Sequence, residues 1–275
     1  MAQTINTNLV SLNAQRNLSM SGGSLATSMQ RLSSGLRVNS AKDDAAGLAI
    51  ADRMQTQIRG MNVAMRNAND GISLAQTAEG AIGKVGDMLQ RMRELAVQAA
   101  NATNGVADRA NLDAEYKQLS EEITRTIGTT KFNGLAILGA NSGPQVFQVG
   151  ADASDQITIT TADLAGNGFI LALATNNLLD ALPSRDAMIA IDAALTVVNA
   201  ERAQYGATQN RFEAVIGTLQ VASENQSAAR GRIMDADFAV ETANLSRAQI
   251  LQQAGTAMVA QANQLPQQVL QLLQR

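Results

Sequence analysis

The run MQTQIRGMNVAMRNANDGISLAQTAEGAIGKVGDMLQRM, from Met54 to Met92, decides the fold class of this chain. Met54, Ile58, Met61, Met65, Ala68, Ile72, Ala75, Ala78, Ile82, Val85, Leu89 and Met92 step almost entirely by four and three. That spacing sets them on one stripe of a helix. No proline interrupts the pattern, which predicts a single helix from Asp44 to Ala99. At 1.5 Å per residue it would span about 80 Å. A stripe of that length must lie along other helices, as in a coiled-coil-like bundle.

The same beat recurs on both sides. A helix is expected from Asn6 to Ser34, with Ile5, Leu9 and Leu12, then Leu18, Leu25, Met29, Leu32 and Leu36 in register. Gly22-Gly23 weakens it by about 1 kcal/mol per glycine relative to Ala. A third helix is expected over Asp108–Thr126 and a fourth after Pro183, with Ser184 as its cap. A last one runs from Phe238 to Leu273, carrying Leu251, Ala254, Met258, Leu265, Val269 and Leu272. Asp43 or Asp44 can cap the long helix, since a carboxylate accepts from free N–H groups at the positive helix end.

The middle, about residues 130–182, reads as β or irregular. Asn133-Gly134 is a tight-turn signal, and Gln145–Val149 and Gln156–Thr160 alternate like short strands. Thr161–Leu182 leaves room for a short loop only.

The expected fold is therefore mainly α: an elongated, coiled-coil-like helical hairpin or bundle with a small β-hairpin region and paired chain termini. Residues 1–43 with 234–275 form one expected domain and residues 44–233 the other. Terminal stripes on thin helices need partner surfaces. They predict ends that fold on assembly with further copies.

Composition narrows the function. The chain has 275 residues, 45% hydrophobic but 3% aromatic, with no His, Cys or Trp. No His means no Ser-His-Asp or Cys-His nucleophile and no imidazole metal ligand. No Cys means no disulfide or thiolate chemistry. With a net charge of −3 and no long basic stretch, nucleic-acid binding is not expected. No apolar run reaches the roughly 20 residues of a membrane span. The N-terminus lacks the basic and apolar regions of a Sec-type signal. The reading is a structural protein, not an enzyme, with no cofactor and no metal. Asp43-Asp44 read as a cap and ion pair rather than a metal site.

Leu32-Ser-Ser-Gly-Leu-Arg-Val-Asn-Ser-Ala-Lys-Asp-Asp-Ala-Ala-Gly-Leu-Ala-Ile50 closely resembles the N-terminal signature of bacterial flagellins. So do Asn8–Arg16, Leu89–Gln98 and Lys131–Gly134. Ser227–Glu241 and Ala262–Leu270 resemble the C-terminal signature. The resemblance spans Met1–Asp152 and Pro183–Arg275, with long motifs in order.

It implies a short filament subunit without large outer domains, exported unfolded by the flagellar type III system and polymerised head-to-tail outside the cell for swimming motility. The implied partners are copies of itself, the hook–filament junction and filament cap proteins, an export chaperone and host flagellin receptors. Leu9, Leu12, Leu25, Met29, Leu32, Leu251, Met258, Leu265, Val269 and Leu272 would pack the filament core. Arg91, Leu95 and Glu115 match positions read by the vertebrate Toll-like receptor for flagellin, with filament packing the first reason for that face. Val269, Leu270, Leu272 and Leu273 are candidates for an export chaperone or a cytosolic immune sensor. The alternatives are a hook–filament junction protein, which resembles flagellin at both ends, and a secreted adhesin or enzyme on the same scaffold.

Overall fold

The computed structural model describes residues 7–139 and 142–273, with side chains described as far as residue 264. Six helices and two small hairpins occur among the described residues. In chain order they are α1 Leu9–Ser34, α2 Ala45–Ala99, α3 Val106–Thr129, β1 Lys131–Phe132 and β2 Leu135–Ala136. Then come β3 Pro144–Gln148, β4 Gln156–Thr160, α4 Gly168–Thr175, α5 Ala181–Met234 and α6 Phe238–Leu273. The chain divides into two compact units. One holds the chain up to Thr56 and from Asn225 onward; the other is Gln57–Glu224.

Within Gln57–Glu224 the stripe of α2 is buried as its spacing predicts. Ala68, Ala75, Ala78, Ile82, Val85, Leu89 and Met92 share one core with Tyr116, Ile123 and Ile127 of α3 and with Ile191, Val198, Tyr205 and Phe212 of α5. Alanines at so many α2 positions leave room for neighbouring helices to come close, with the larger side chains filling the gaps between them.

β3 and β4 pair antiparallel from Pro144↔Thr160 to Gln148↔Gln156. Ile157 and Ile159 turn inward while Gln156, Thr158 and Thr160 turn out, the alternation of a half-buried strand. Phe147 meets Phe212 edge-on, ring centres 5.7 Å apart, and Asn67 Nδ2 donates to the Gln148 carbonyl at 2.9 Å. These contacts seat the hairpin on α2 and α5. β1 and β2 form the expected Asn-Gly hairpin, with Asn133 in the left-handed region at φ 48°.

Two expectations are corrected. Residues 161–182 are not a bare loop, because they contain α4. The Asn167 side chain caps it by accepting from Phe169 N at 3.0 Å, and Ile170 and Leu173 are buried beneath it. Ser184 is not a cap either. α5 begins at Ala181, so Pro183 falls in its first turn, where a missing N–H costs nothing. Ser184 is buried and its hydroxyl donates to the Asp180 carbonyl at 2.6 Å. The segment leading into α5 is held by buried Asp113, which accepts from Leu178 N at 2.8 Å and pairs with Lys117 at 2.7 Å.

Phe212→Ala is expected to destabilise this unit by about 3–5 kcal/mol, because it opens a cavity under the hairpin; chemical denaturation reads the change. The phenols of Tyr116 and Tyr205 are buried without a well-formed hydrogen bond, and burial pushes both up from 10.0 to about 12. The fold thus favours the neutral phenol. That stability is complete below the unfolded value of about 10 and is lost as pH rises through about 12. Since the chain has only two tyrosines, tyrosinate absorbance should titrate near 12 in the native protein and near 10 in denaturant. A native midpoint near 10 would show that the rings are not buried.

Candidate assembly interface

The unit formed by the two chain ends rests on α1 and α6. Asn8 starts α1: its side chain accepts from Ser11 N at 3.1 Å and donates to the Ala262 carbonyl at 2.6 Å. Ser11 Oγ meets Asn263 Oδ1 at 2.6 Å, and at the other end Arg31 lies 3.9 Å from Glu241. Low numbers of α1 thus meet high numbers of α6, so the pair is antiparallel.

The seam between them repeats at seven-residue spacing, with small or polar residues on α6 and mainly leucines on α1. On α6 the positions turned inward are Glu241, Ala248, Gly255 and Ala262. On α1, Ser11, Leu18, Leu25 and Leu32 keep the same interval, with Ser28 buried beside them. A seven-residue repeat keeps a seam facing its partner along both helices. Gly255 packs tightly against α1: a Cβ there would stand 3.0 Å from Leu18 Cδ1.

Other large apolar side chains of the pair point elsewhere. Leu9 is 68% exposed, Met258 61% and Leu251 50%, and Leu12, Met20, Met29 and Ile250 are exposed as well. Of the ten residues expected to pack a filament core, Leu9, Leu12, Met29, Leu251 and Met258 are therefore exposed in the single chain, and Leu25 and Leu32 half-buried. The side chains of Leu265, Val269 and Leu272 lie outside the described residues, as do those of Leu270 and Leu273 among the chaperone and sensor candidates. Exposed large apolar side chains gathered on one helix pair point to a contact with another molecule. A groove of about 1000 Å³ runs along the pair, lined by Met20, Ser24, Arg31, Arg247, Ala248 and Leu251 among others.

A clasp joins the two inter-helix links of this unit. α1 ends at Gly35 in the left-handed conformation, φ 71°, whose N–H donates to the Arg31 carbonyl at 2.9 Å. Leu36 then pairs with Asp235 as an isolated antiparallel bridge, Arg37 N donates to the Met234 carbonyl and Ala236 N to that of Gly35. Val38, Ala51 and Met234 close a small core over it. Asp43 accepts from the Ser40 hydroxyl and from the Asn39 and Ser40 N–H groups, and the Ser40 hydroxyl contact contributes most to holding its carboxyl below the usual value. Asp44 accepts from Gly47 N at 2.8 Å and caps α2; Asp237 accepts from Ala239 N and Val240 N and caps α6. Both aspartates of the 43–44 pair are thus occupied by the backbone. No cluster of three or more potential metal-ligating side chains occurs among the described residues, and none of their helices is long and apolar enough to cross a membrane.

The three receptor-contact candidates separate. Arg91 bridges Glu115 and Glu94, each at 2.9 Å, and these contacts, Glu115 first, raise its pKa. Leu95, expected as an apolar anchor, is 1% exposed. It belongs to the core stripe of α2, one turn beyond Arg91, so its side chain points to the interior. A partner on this face meets Arg91, Glu94 and Glu115. The small-residue seam of α6 escaped the sequence reading, although its seven-residue interval is visible there once large side chains are ignored.

Residues 5–142 match the family model of the bacterial flagellin N-terminal helical region, and residues 188–273 match that of the C-terminal helical region. Over 269 residues the chain is 48% identical to a flagellin of Halalkalibacterium halodurans, covering 98% of this chain and 99% of the relative. It is 42% identical over 303 residues to the flagellin of Bacillus subtilis, again over 98% and 99%. Among solved structures it is similar to Bacillus cereus flagellin, with a TM-score of 0.50 and 32% identity over 60% of this chain and 94% of that one.

Gly255→Leu is expected to cost about 1–3 kcal/mol at the seam by overpacking against Leu18. Circular dichroism should show the terminal helices melting early, with the transition of Gln57–Glu224 in place. Unshifted melting of the terminal helices would show that the seam tolerates bulk.

Proposed function

This chain belongs to the bacterial flagellin family, and from that premise we propose that its subunits assemble through the outward faces of α1 and α6. A flagellin is a structural subunit of the extracellular flagellar filament that serves motility, and not an enzyme. What supports the assembly reading is the apolar surface left outside the terminal pair. Leu18, Leu25 and Leu32 of α1 turn toward small residues of α6, while Leu9, Leu12, Met29, Leu251 and Met258 face water. One chain cannot cover them, and a second copy can.

In this reading α1 and α6 build the inner tube of the filament. Contacts between unlike faces of successive subunits do not close on themselves, and so generate a helix of indefinite length. The cap and hook-junction proteins would meet the same faces at the two filament ends. An export chaperone would cover the stripe at Val269–Leu273 before assembly. Host receptors would read the Arg91–Glu115 surface, with Leu95 supporting it from beneath.

Filament fragments added to purified subunit should seed long filaments visible by electron microscopy. The double variant Leu12→Asn, Leu251→Asn removes two exposed apolar contacts worth about 1.5–3 kcal/mol each when buried. It should raise the critical concentration for growth at least about 100-fold, with the melting of Gln57–Glu224 unchanged. Growth of the variant at the wild-type concentration would refute these faces as the interface.

A further inference from the structure

The chain has eleven methionines and no cysteine, so the thioether is its one oxidisable sulfur. Among the described residues the methionines divide by exposure. Met61, Met92 and Met234 are buried, and Met54, Met65, Met88 and Met188 are half-buried. Met20, Met29 and Met258 are 59%, 53% and 61% exposed. All three lie on α1 and α6, on the helix pair whose large apolar side chains face water. Met20 and Leu251 line the same groove.

We propose that Met20, Met29 and Met258 form an oxidation-sensitive patch, through which a hydroperoxide blocks addition of the free subunit to a filament. The proposal rests on the assembly reading above. The chemistry needs only the oxidant. A sulfur lone pair attacks one peroxide oxygen, an S–O bond forms and the O–O bond breaks. The departing oxygen takes the proton and leaves as water or an alcohol. Sulfur is oxidised by two electrons and the peroxide reduced by two. The product, a sulfoxide, is polar where the thioether was apolar.

The effect on assembly follows from desolvation. A thioether enters an apolar contact with almost no loss of hydration and adapts its shape to the neighbour. A sulfoxide oxygen accepts hydrogen bonds from water and must give them up on burial. The exposed Leu9, Leu12, Val240, Ile250 and Leu251 of α1 and α6 carry no donor to replace that water. The buried methionines lie in cores that a peroxide reaches only when the fold opens, and the half-buried ones are partly shielded, so mild treatment favours the three exposed ones.

The test treats purified subunit with dilute hydrogen peroxide and locates the added oxygen atoms by peptide mass spectrometry. Seeded growth is then followed beside untreated subunit. Elongation should slow at least about tenfold once all three positions carry oxygen. Methionine sulfoxide reductases acting on the oxidised subunit should restore it. The triple variant Met20→Leu, Met29→Leu, Met258→Leu keeps a similar volume and cannot form a sulfoxide. It should elongate equally well with and without peroxide.

Oxidised wild type that elongates at the untreated rate would overturn the proposal. So would a triple variant that remains as sensitive as wild type. If the triple variant fails to grow even untreated, reductase rescue of the wild type decides: recovery supports the patch and no recovery overturns it. Untreated wild type that does not extend seeds would instead overturn the assembly reading, and the patch with it.

Discussion

The close contact of α1 with α6 is the constraint on which the terminal unit depends. Two helices come near enough to interlock only where their facing side chains are small. Here Ala248, Gly255 and Ala262 supply that on α6, with Ser11 and Ser28 on α1. Polar ends fix the register: Asn8 to the Ala262 carbonyl, Ser11 to Asn263, and Arg31 near Glu241. Leu18, Leu25 and Leu32 of α1 turn into this seam, while Leu9, Leu12, Leu251 and Met258 stay outside it. The pairing therefore leaves the subunit with exposed apolar surface, and makes it a component rather than a finished protein.

The unit Gln57–Glu224 follows the opposite rule. Its large apolar residues turn inward from α2, α3 and α5, and the β3–β4 hairpin is fastened by Phe147 against Phe212. Polar side chains stitch its surface, as in Arg93 to Asp192 at 2.7 Å and Arg91 to Glu115. Such exposed pairs contribute little to stability and chiefly fix which helix faces which. This unit has a core that needs no neighbour.

The clasp at Gly35 and Asp235 shows how a short link can be built without a large core. Each break in the helices leaves carbonyl and N–H groups without helical partners. The two breaks satisfy one another through the Leu36–Asp235 bridge, and nearby aspartates take up the free N–H groups at the starts of α2 and α6. The end of α1 and the end of α5 thus lie side by side at the bridge.

The sequence by itself determined the long helices, the Asn-Gly turn, the alternating strand Gln156–Thr160 and the family. Each depends on local spacing or on motifs read in order, and needs no knowledge of neighbours. It also showed that no imidazole or thiolate chemistry is available. Only the tertiary structure decided which way each stripe faces. Steps of three and four place Leu9, Leu12, Leu251 and Met258 on one side of a helix, but they do not say whether that side meets the chain's own partner or another copy. The same steps could not show that Leu95 points inward beside outward-pointing Arg91. Nor could a short apolar run after Asn167 reveal itself as α4, since its helical form depends on the core that receives Ile170 and Leu173. Periodicity is a property of one segment; the direction of a face belongs to the contact between two.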